Sequence, residues 1–80
     1  MKADIYVTLK REVLDPQGDA IRHALGTLAL GDVKDVRVGK LIEIELATDD
    51  PAVAEKQLKA MCEKLLANPV MEDFHFELVD

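Results

Sequence analysis

Apolar positions recur along this chain with two different periods. The segment ADIYVTLK sets Ile5, Val7 and Leu9 against Asp4, Tyr6, Thr8 and Lys10, the alternation of a strand buried on one face. MEDFHFELV does the same near the other end, with Phe74, Phe76 and Leu78 opposed to Asp73, His75 and Glu77. Two stretches between them follow the helical period. In LDPQGDAIRHAL, Ile21, Ala24, Leu25 and Leu28 recur at helical spacing behind Asp15, a good N-cap, and Pro16, which suits the first helical position. Gly31 is the expected left-handed terminator of that helix. DDPAVAEKQLKAMCEKLLANP repeats the device with Asp50 and Pro51. Its stripe is Ala54, Leu58, Met61, Cys62 and Leu65, and Asn68-Pro69 is its stop.

The middle, VKDVRVGKLIEIEL, admits two readings. Two strands joined at Gly39-Lys40 would give β-α-β-β-α-β, the order of the ferredoxin-like fold. Parity counts against a two-residue turn, because Val36, Val38, Ile42, Ile44 and Leu46 are all even-numbered. Such a turn would pair Val38 with Leu41 and put Ile42 on the opposite face. An odd-length loop repairs the hairpin. One long strand kinked at Gly39, its far half reaching beyond its own domain, satisfies the parity too, and the pattern inclines that way. Either reading gives an α+β two-layer sandwich, two helices covering one face of an antiparallel sheet, in a single domain over residues 1–80.

Composition narrows the function. A chain of 80 residues buries only about 60 % of its unfolded surface, so association would help it. A formal net charge of −6 argues against nucleic acid, which demands clustered Lys and Arg. Cys62 is the only cysteine, so no internal disulfide is possible. No apolar run approaches membrane-spanning length, and the N-terminal residues lack a signal-peptide pattern, so a cytoplasmic location is expected.

Chemistry is hard to find. There is no serine. Cys62 lies on an apolar stripe, where a thiol behaves as a small inert hydrophobe. His23 and His75 fall on polar faces, and their separation matches no metal spacing. The turn before the first helix has one glycine, an Asp that would repel an anion, and no following Lys-Ser/Thr, so a phosphate loop is disfavoured. Ferredoxin-like acyl phosphatases need a Gly-rich anion loop with an Arg and an Asn; LKREVLDP has no glycine, and the lone Asn68 ends a helix. RNA-recognition domains need several strand aromatics on a basic face, and Tyr6 is alone on the first strand. Lys10 and Arg11 read better as contacts for a partner surface than as an anion site, although for each alone a solvated surface charge is the commoner case.

Taken together, VTLKREVLDPQGDAIRHAL, VKDVRVGKLIEIEL and MCEKLLANPVMEDFHFEL resemble the small PurS-type subunits of phosphoribosylformylglycinamidine synthase, over nearly the whole chain. The resemblance implies a part in purine biosynthesis, where formylglycinamide ribonucleotide becomes the formylglycinamidine with ATP and glutamine-derived ammonia. It further implies that a large synthetase subunit and a glutaminase subunit do the chemistry and use the ATP and glutamine. A homodimer or higher oligomer of the small subunit would join them and support ammonia transfer. It carries over no catalytic, cofactor or metal residue. The expected partner contacts are Lys10, Arg11, Asp15, Gln17, Arg37 and Lys40, with Gly39 as structural pivot. A stand-alone small enzyme and a small-molecule-binding regulatory module are the competing readings.

Overall fold

The computed structural model describes residues 1–79. They form β1 (Lys2–Leu9), α1 (Pro16–Thr27), β2 (Gly39–Glu45), α2 (Pro51–Met61) running into a π turn (Cys62–Leu66), and β3 (Glu72–Val79). The strands make one antiparallel sheet in the order β2-β1-β3. Register brings the alternating apolar residues onto one face: Ile5 lies opposite Ile42 and Phe76, and Ala3 opposite Ile44 and Leu78. Helix α2 lies on that face. Ile5, Leu58, Ala54 and Cys62 are fully buried there, with Ala3 and Val7, and this removal of apolar surface from water holds the layers together. The outer residues of β3 alternate as expected.

Both capping expectations hold. The Asp15 carboxylate accepts from the Gly18 amide, the Asp50 carboxylate accepts from the Ala52 amide, and a proline opens each helix. The helix ends are less regular. Gly31 does not close α1; Ala29 does, at φ 55°. The Leu30 amide donates to the Leu25 carbonyl and the Ala29 amide to the Gly26 carbonyl, the paired bonds of a Schellman motif with alanine in the left-handed position. Ala29→Gly should therefore raise stability by about 0.5–1 kcal/mol, since the steric strain relieved exceeds the entropy cost of glycine. An unchanged or lowered urea midpoint would contradict it. The π turn alters the end of the α2 stripe. Each residue there advances less around the axis than in an α-helix. Leu65 consequently falls short of the core and is 82 % exposed, while Leu66 packs against the core instead.

The larger departures concern α1 and the middle of the chain. No α1 residue belongs to the core, and of its apolar stripe only Leu25 is even half-buried. The expectation that both helices cover the sheet is met by α2 alone. Nor does a hairpin form at Gly39-Lys40. The strand begins at Gly39, opposite Thr8, and residues 30–38 carry no regular structure, so the long strand expected over 33–47 is shorter within the chain. Helix α1 and residues 28–38 instead project as an arm. The radius of gyration is 16.0 Å, whereas a compact chain of this length would have about 12 Å, and the molecule measures 48 × 27 × 13 Å.

Candidate functional site

The root of the arm gathers the residues singled out by sequence. Asp15 is buried, and its two carboxylate oxygens are divided between the chain segments. One accepts from the Gly18 amide at 2.8 Å, capping α1; the other accepts from the Val38 amide at 2.7 Å, tying down the segment that enters β2. The Arg37 guanidinium reaches back and donates to the carbonyls of Lys10 and Val13, at 2.9 and 2.8 Å. A single acid and a single base thus clamp the β1–α1 loop to residues 36–38. The Val38 and Gly18 amides, in that order, hold the Asp15 carboxyl below its ordinary value, and the Arg37 charge adds to them. Asp15 and Arg37 are accordingly turned towards their own chain, and the structure gives them the work of fixing the arm.

The depressed Asp15 carboxyl has a pH consequence. Its contribution to holding the arm is complete above the unfolded value of about 4 and is lost as pH falls from there through the lower folded value. Hydrogen exchange at the Val38 amide should rise, relative to the sheet amides, over that acid window. Asp15→Asn should flatten the response; the same acid response in the variant would assign it to another group.

The other candidates surround this clamp. The Lys10 ammonium lies 4.0 Å from Asp73, and the Lys40 ammonium 3.9 Å from Glu72. Arg11 and Gln17 are exposed, in the turn after β1 and on the first turn of α1. Gly39 has a different reason from the one its sequence suggested. Its φ is not positive; a Cβ there would meet the Val7 carbonyl oxygen and Thr8 Cγ2, each at 2.7 Å. It is glycine because β1 passes so close, and the chain does not turn there.

Gly18 was missed as a structural determinant. A Cβ at that position would overlap the Val36 carbonyl oxygen, so the bare glycine is what lets residues 36–38 lie against α1. Its place in LDPQGD suggested only a weak anion loop, and nothing local to the turn marks the later approach of Val36.

The groups capable of chemistry are dispersed. Cys62 is sealed in the core, and burial pushes its thiol up, away from the reactive thiolate. His23 is exposed on α1, 4.0 Å from Asp19. His75 stacks on Tyr6 across the sheet, ring centroids 4.6 Å apart. Among the described residues, no three His, Cys, Asp or Glu side chains are grouped to hold a metal, and no helix is long and apolar enough to cross a membrane. Cys62→Ala should cost about 1–2 kcal/mol of stability and leave the turnover of an assembled complex intact. A folded, assembled variant without turnover would overturn the inert-core reading.

Comparison with known proteins gives a consistent result. The family model described as PurS, phosphoribosylformylglycinamidine (FGAM) synthase, matches residues 2–80. The Bacillus subtilis phosphoribosylformylglycinamidine synthase subunit PurS is 47 % identical over 77 residues, covering 96 % of this chain and 90 % of that one. Among solved structures, PurS of Methanocaldococcus jannaschii is described as one of the subunits of formylglycinamide ribonucleotide amidotransferase in the purine biosynthetic pathway. It superposes with a TM-score of 0.85 at 36 % identity, over 99 % of this chain and 98 % of that one. A chain of the Thermotoga maritima PurLQS structure gives 0.89 at 33 % identity, over 98 % and 95 %. The clamped arm, the sealed cysteine and the three-stranded sheet are thus features of a chain that belongs to the PurS family of phosphoribosylformylglycinamidine synthase subunits.

Proposed function

We propose that this chain works as a homodimer, contributes no catalytic group of its own, and bridges the synthetase and glutaminase subunits of phosphoribosylformylglycinamidine synthase in the cytoplasm. ATP and glutamine are used by those larger subunits, and the bridge supports the passage of ammonia between them. As an isolated chain it turns over no substrate.

The observation that carries the homodimer is the unfinished sheet edge. β2 pairs with β1 only, and residues 33–37 have no strand partner among the described residues. An edge of that length, entered from a segment without regular structure or strand partner, invites another strand. A second copy supplies one. Two copies of residues 33–45 laid antiparallel have their midpoint at Gly39, so the partner's 33–38 would run along this chain's 39–45, and the reverse. The pairing is self-complementary, as a twofold interface must be. Parity agrees as well: with Gly39 on the twofold axis, Val36 of one copy falls opposite Ile42 of the other, continuing the apolar face. The clamp would carry α1 across with its strand, and exposed apolar residues such as Ile21 and Leu28 would gain cover from the second copy.

Gel filtration of this chain with the glutaminase and synthetase subunits, in the presence of glutamine and nucleotide, tests the reading. A dimer alone, and co-elution of all three together, are expected. A monomer at micromolar concentration removes the paired-strand dimer, and failure to co-elute favours a stand-alone enzyme or regulatory module.

A further inference from the structure

The N–H and C=O groups of successive residues in a strand point alternately to its two sides. In β2 the phase is fixed at the far end, where the Leu46 amide donates to the Met1 carbonyl at 2.7 Å. Even-numbered residues therefore turn their main-chain groups to β1: Lys40, Ile42 and Ile44 share the phase, opposite Val7, Ile5 and Ala3. The odd-numbered Gly39, Leu41 and Glu43 turn theirs to the open edge.

Strand β1 ends at Leu9, yet the phase continues upstream of Gly39. The Val38 amide still points inward, and there it meets the Asp15 carboxylate at 2.7 Å in place of a strand carbonyl. Two residues earlier the Val36 carbonyl oxygen lies against Gly18, whose own amide is held by the other Asp15 oxygen at 2.8 Å. Asp15 thus supplies the acceptor that β1 no longer provides. With Val36 and Val38 turned inward, Arg37 joins the outward set, and no loop or turn supplies a main-chain partner to Arg37, Gly39, Leu41 or Glu43.

We propose that Asp15 is the positioning residue of the homodimer: it stands in for the missing strand, aims the main-chain groups of Arg37 and Gly39 outward in line with those of Leu41 and Glu43, and so sets the hydrogen bonds that receive a second copy. This rests on the homodimer proposed above and assigns its bonds. With the twofold axis at Gly39, outward residues meet only outward residues. Gly39 pairs with Gly39 of the second copy and Leu41 with its Arg37, each pair exchanging two N–H···O bonds, while Val36 and Ile42 meet in an intervening non-bonded pair where side chains approach most closely. Asp35 falls opposite Glu43 of the second copy, a like-charge pair that opposes this register.

Asp15→Ser separates the two duties of Asp15. Serine remains a good N-cap for α1, but its single side-chain oxygen cannot serve Gly18 and Val38 at once. Asp35→Lys probes the register. Dimer affinity is measured by sedimentation equilibrium, and amide exchange by NMR above and below the dissociation concentration. In the parent dimer the Gly39, Leu41 and Glu43 amides should exchange at least about tenfold more slowly than after dilution to monomer, whereas Lys40, Ile42 and Ile44, bonded to β1, should be slow in both. Asp15→Ser should weaken the dimer about tenfold and speed exchange at Gly39 and Leu41. The Lys40, Ile42 and Ile44 amides should stay slow, which marks an intact sheet. Asp35→Lys should tighten the dimer. An Asp15→Ser dimer as tight as the parent's, with the same protection, would overturn the positioning role. A parent dimer whose odd-numbered amides exchange as fast as the monomer's would overturn the bond assignment and leave the homodimer standing on another surface. A looser Asp35→Lys dimer would overturn the register at Gly39. A parent that stays monomeric removes the homodimer itself, and this proposal with it.

Discussion

Gly18→Ala should loosen the proposed dimer by roughly 5- to 30-fold, although helix propensity predicts that the change stabilises. Glycine inside a helix costs about 1 kcal/mol relative to alanine, so the substitution would be favourable on an isolated helix. Here the added methyl would overlap the Val36 carbonyl oxygen. That oxygen belongs to backbone held by Asp15 and Arg37, and no flexible side chain end is available to move aside. Forcing a methyl into such a contact costs about 2–3 kcal/mol, which outweighs the propensity gain and appears as weaker pairing of the arm with its second copy. Gly26 provides the control on the same helix. Nothing lies within 4 Å of where its Cβ would be, so Gly26→Ala should stabilise by up to about 1 kcal/mol. Sedimentation equilibrium across a dilution series checks the first, and the urea midpoint of unfolding checks the second. A Gly18→Ala dimer as tight as the parent's would mean that the arm is not held where it must be for strand pairing. Gly39→Val should act in the same direction, because its side chain would press on the Val7 backbone that it pairs beside.

The elements whose cause is local were legible in the sequence. Alternation in residues 3–10 and 71–79 places β1 and β3 correctly, and the Asp-Pro pairs locate the starts of both helices, because caps and strand periods depend on neighbours a few residues away. Even-numbered parity around Gly39 correctly disfavoured a two-residue hairpin. What escaped depends on segments distant in the chain. Periodicity gives α1 an apolar stripe but cannot say that the stripe has no cover within its own chain. Ala29 takes the left-handed position that Gly31 was expected to fill. The inward turn of Leu66 over Leu65 requires a π turn, which leaves no mark in a hydropathy pattern.

The candidate site divides along the same line. Asp15 was identified as a cap from its position before Pro16, but its second bond to the Val38 amide spans 23 residues and could not be foreseen. Lys10, Arg11, Asp15 and Gln17 are neighbours in sequence; only the return of the chain along α1 brings Arg37, Gly39 and Lys40 beside them. Tyr6 and His75 were each placed on a polar face. Their stacking follows from β1–β3 register.

Removing this subunit should lower glutamine-dependent turnover by about tenfold to a hundredfold and leave turnover with excess ammonia little changed. The groups that this chain could bring to chemistry are few. It has no serine, its cysteine is sealed in the core, and its histidines are apart on the surface. A subunit of that kind influences the reaction by placement, and transfer of an intermediate between two active sites depends steeply on placement. Free ammonia enters the synthetase site directly and needs no bridge. Charge reversal at Lys10 and Arg11 should reproduce part of the loss, because exposed charges at an interface govern encounter and orientation. The deciding measurement is the ratio of glutamine-supplied to ammonia-supplied rates, with and without this subunit, at fixed concentrations of the two larger ones. A ratio that collapses on its removal is the result expected of a bridge. An unchanged ratio, whether because both rates fall together or because neither falls, would contradict it.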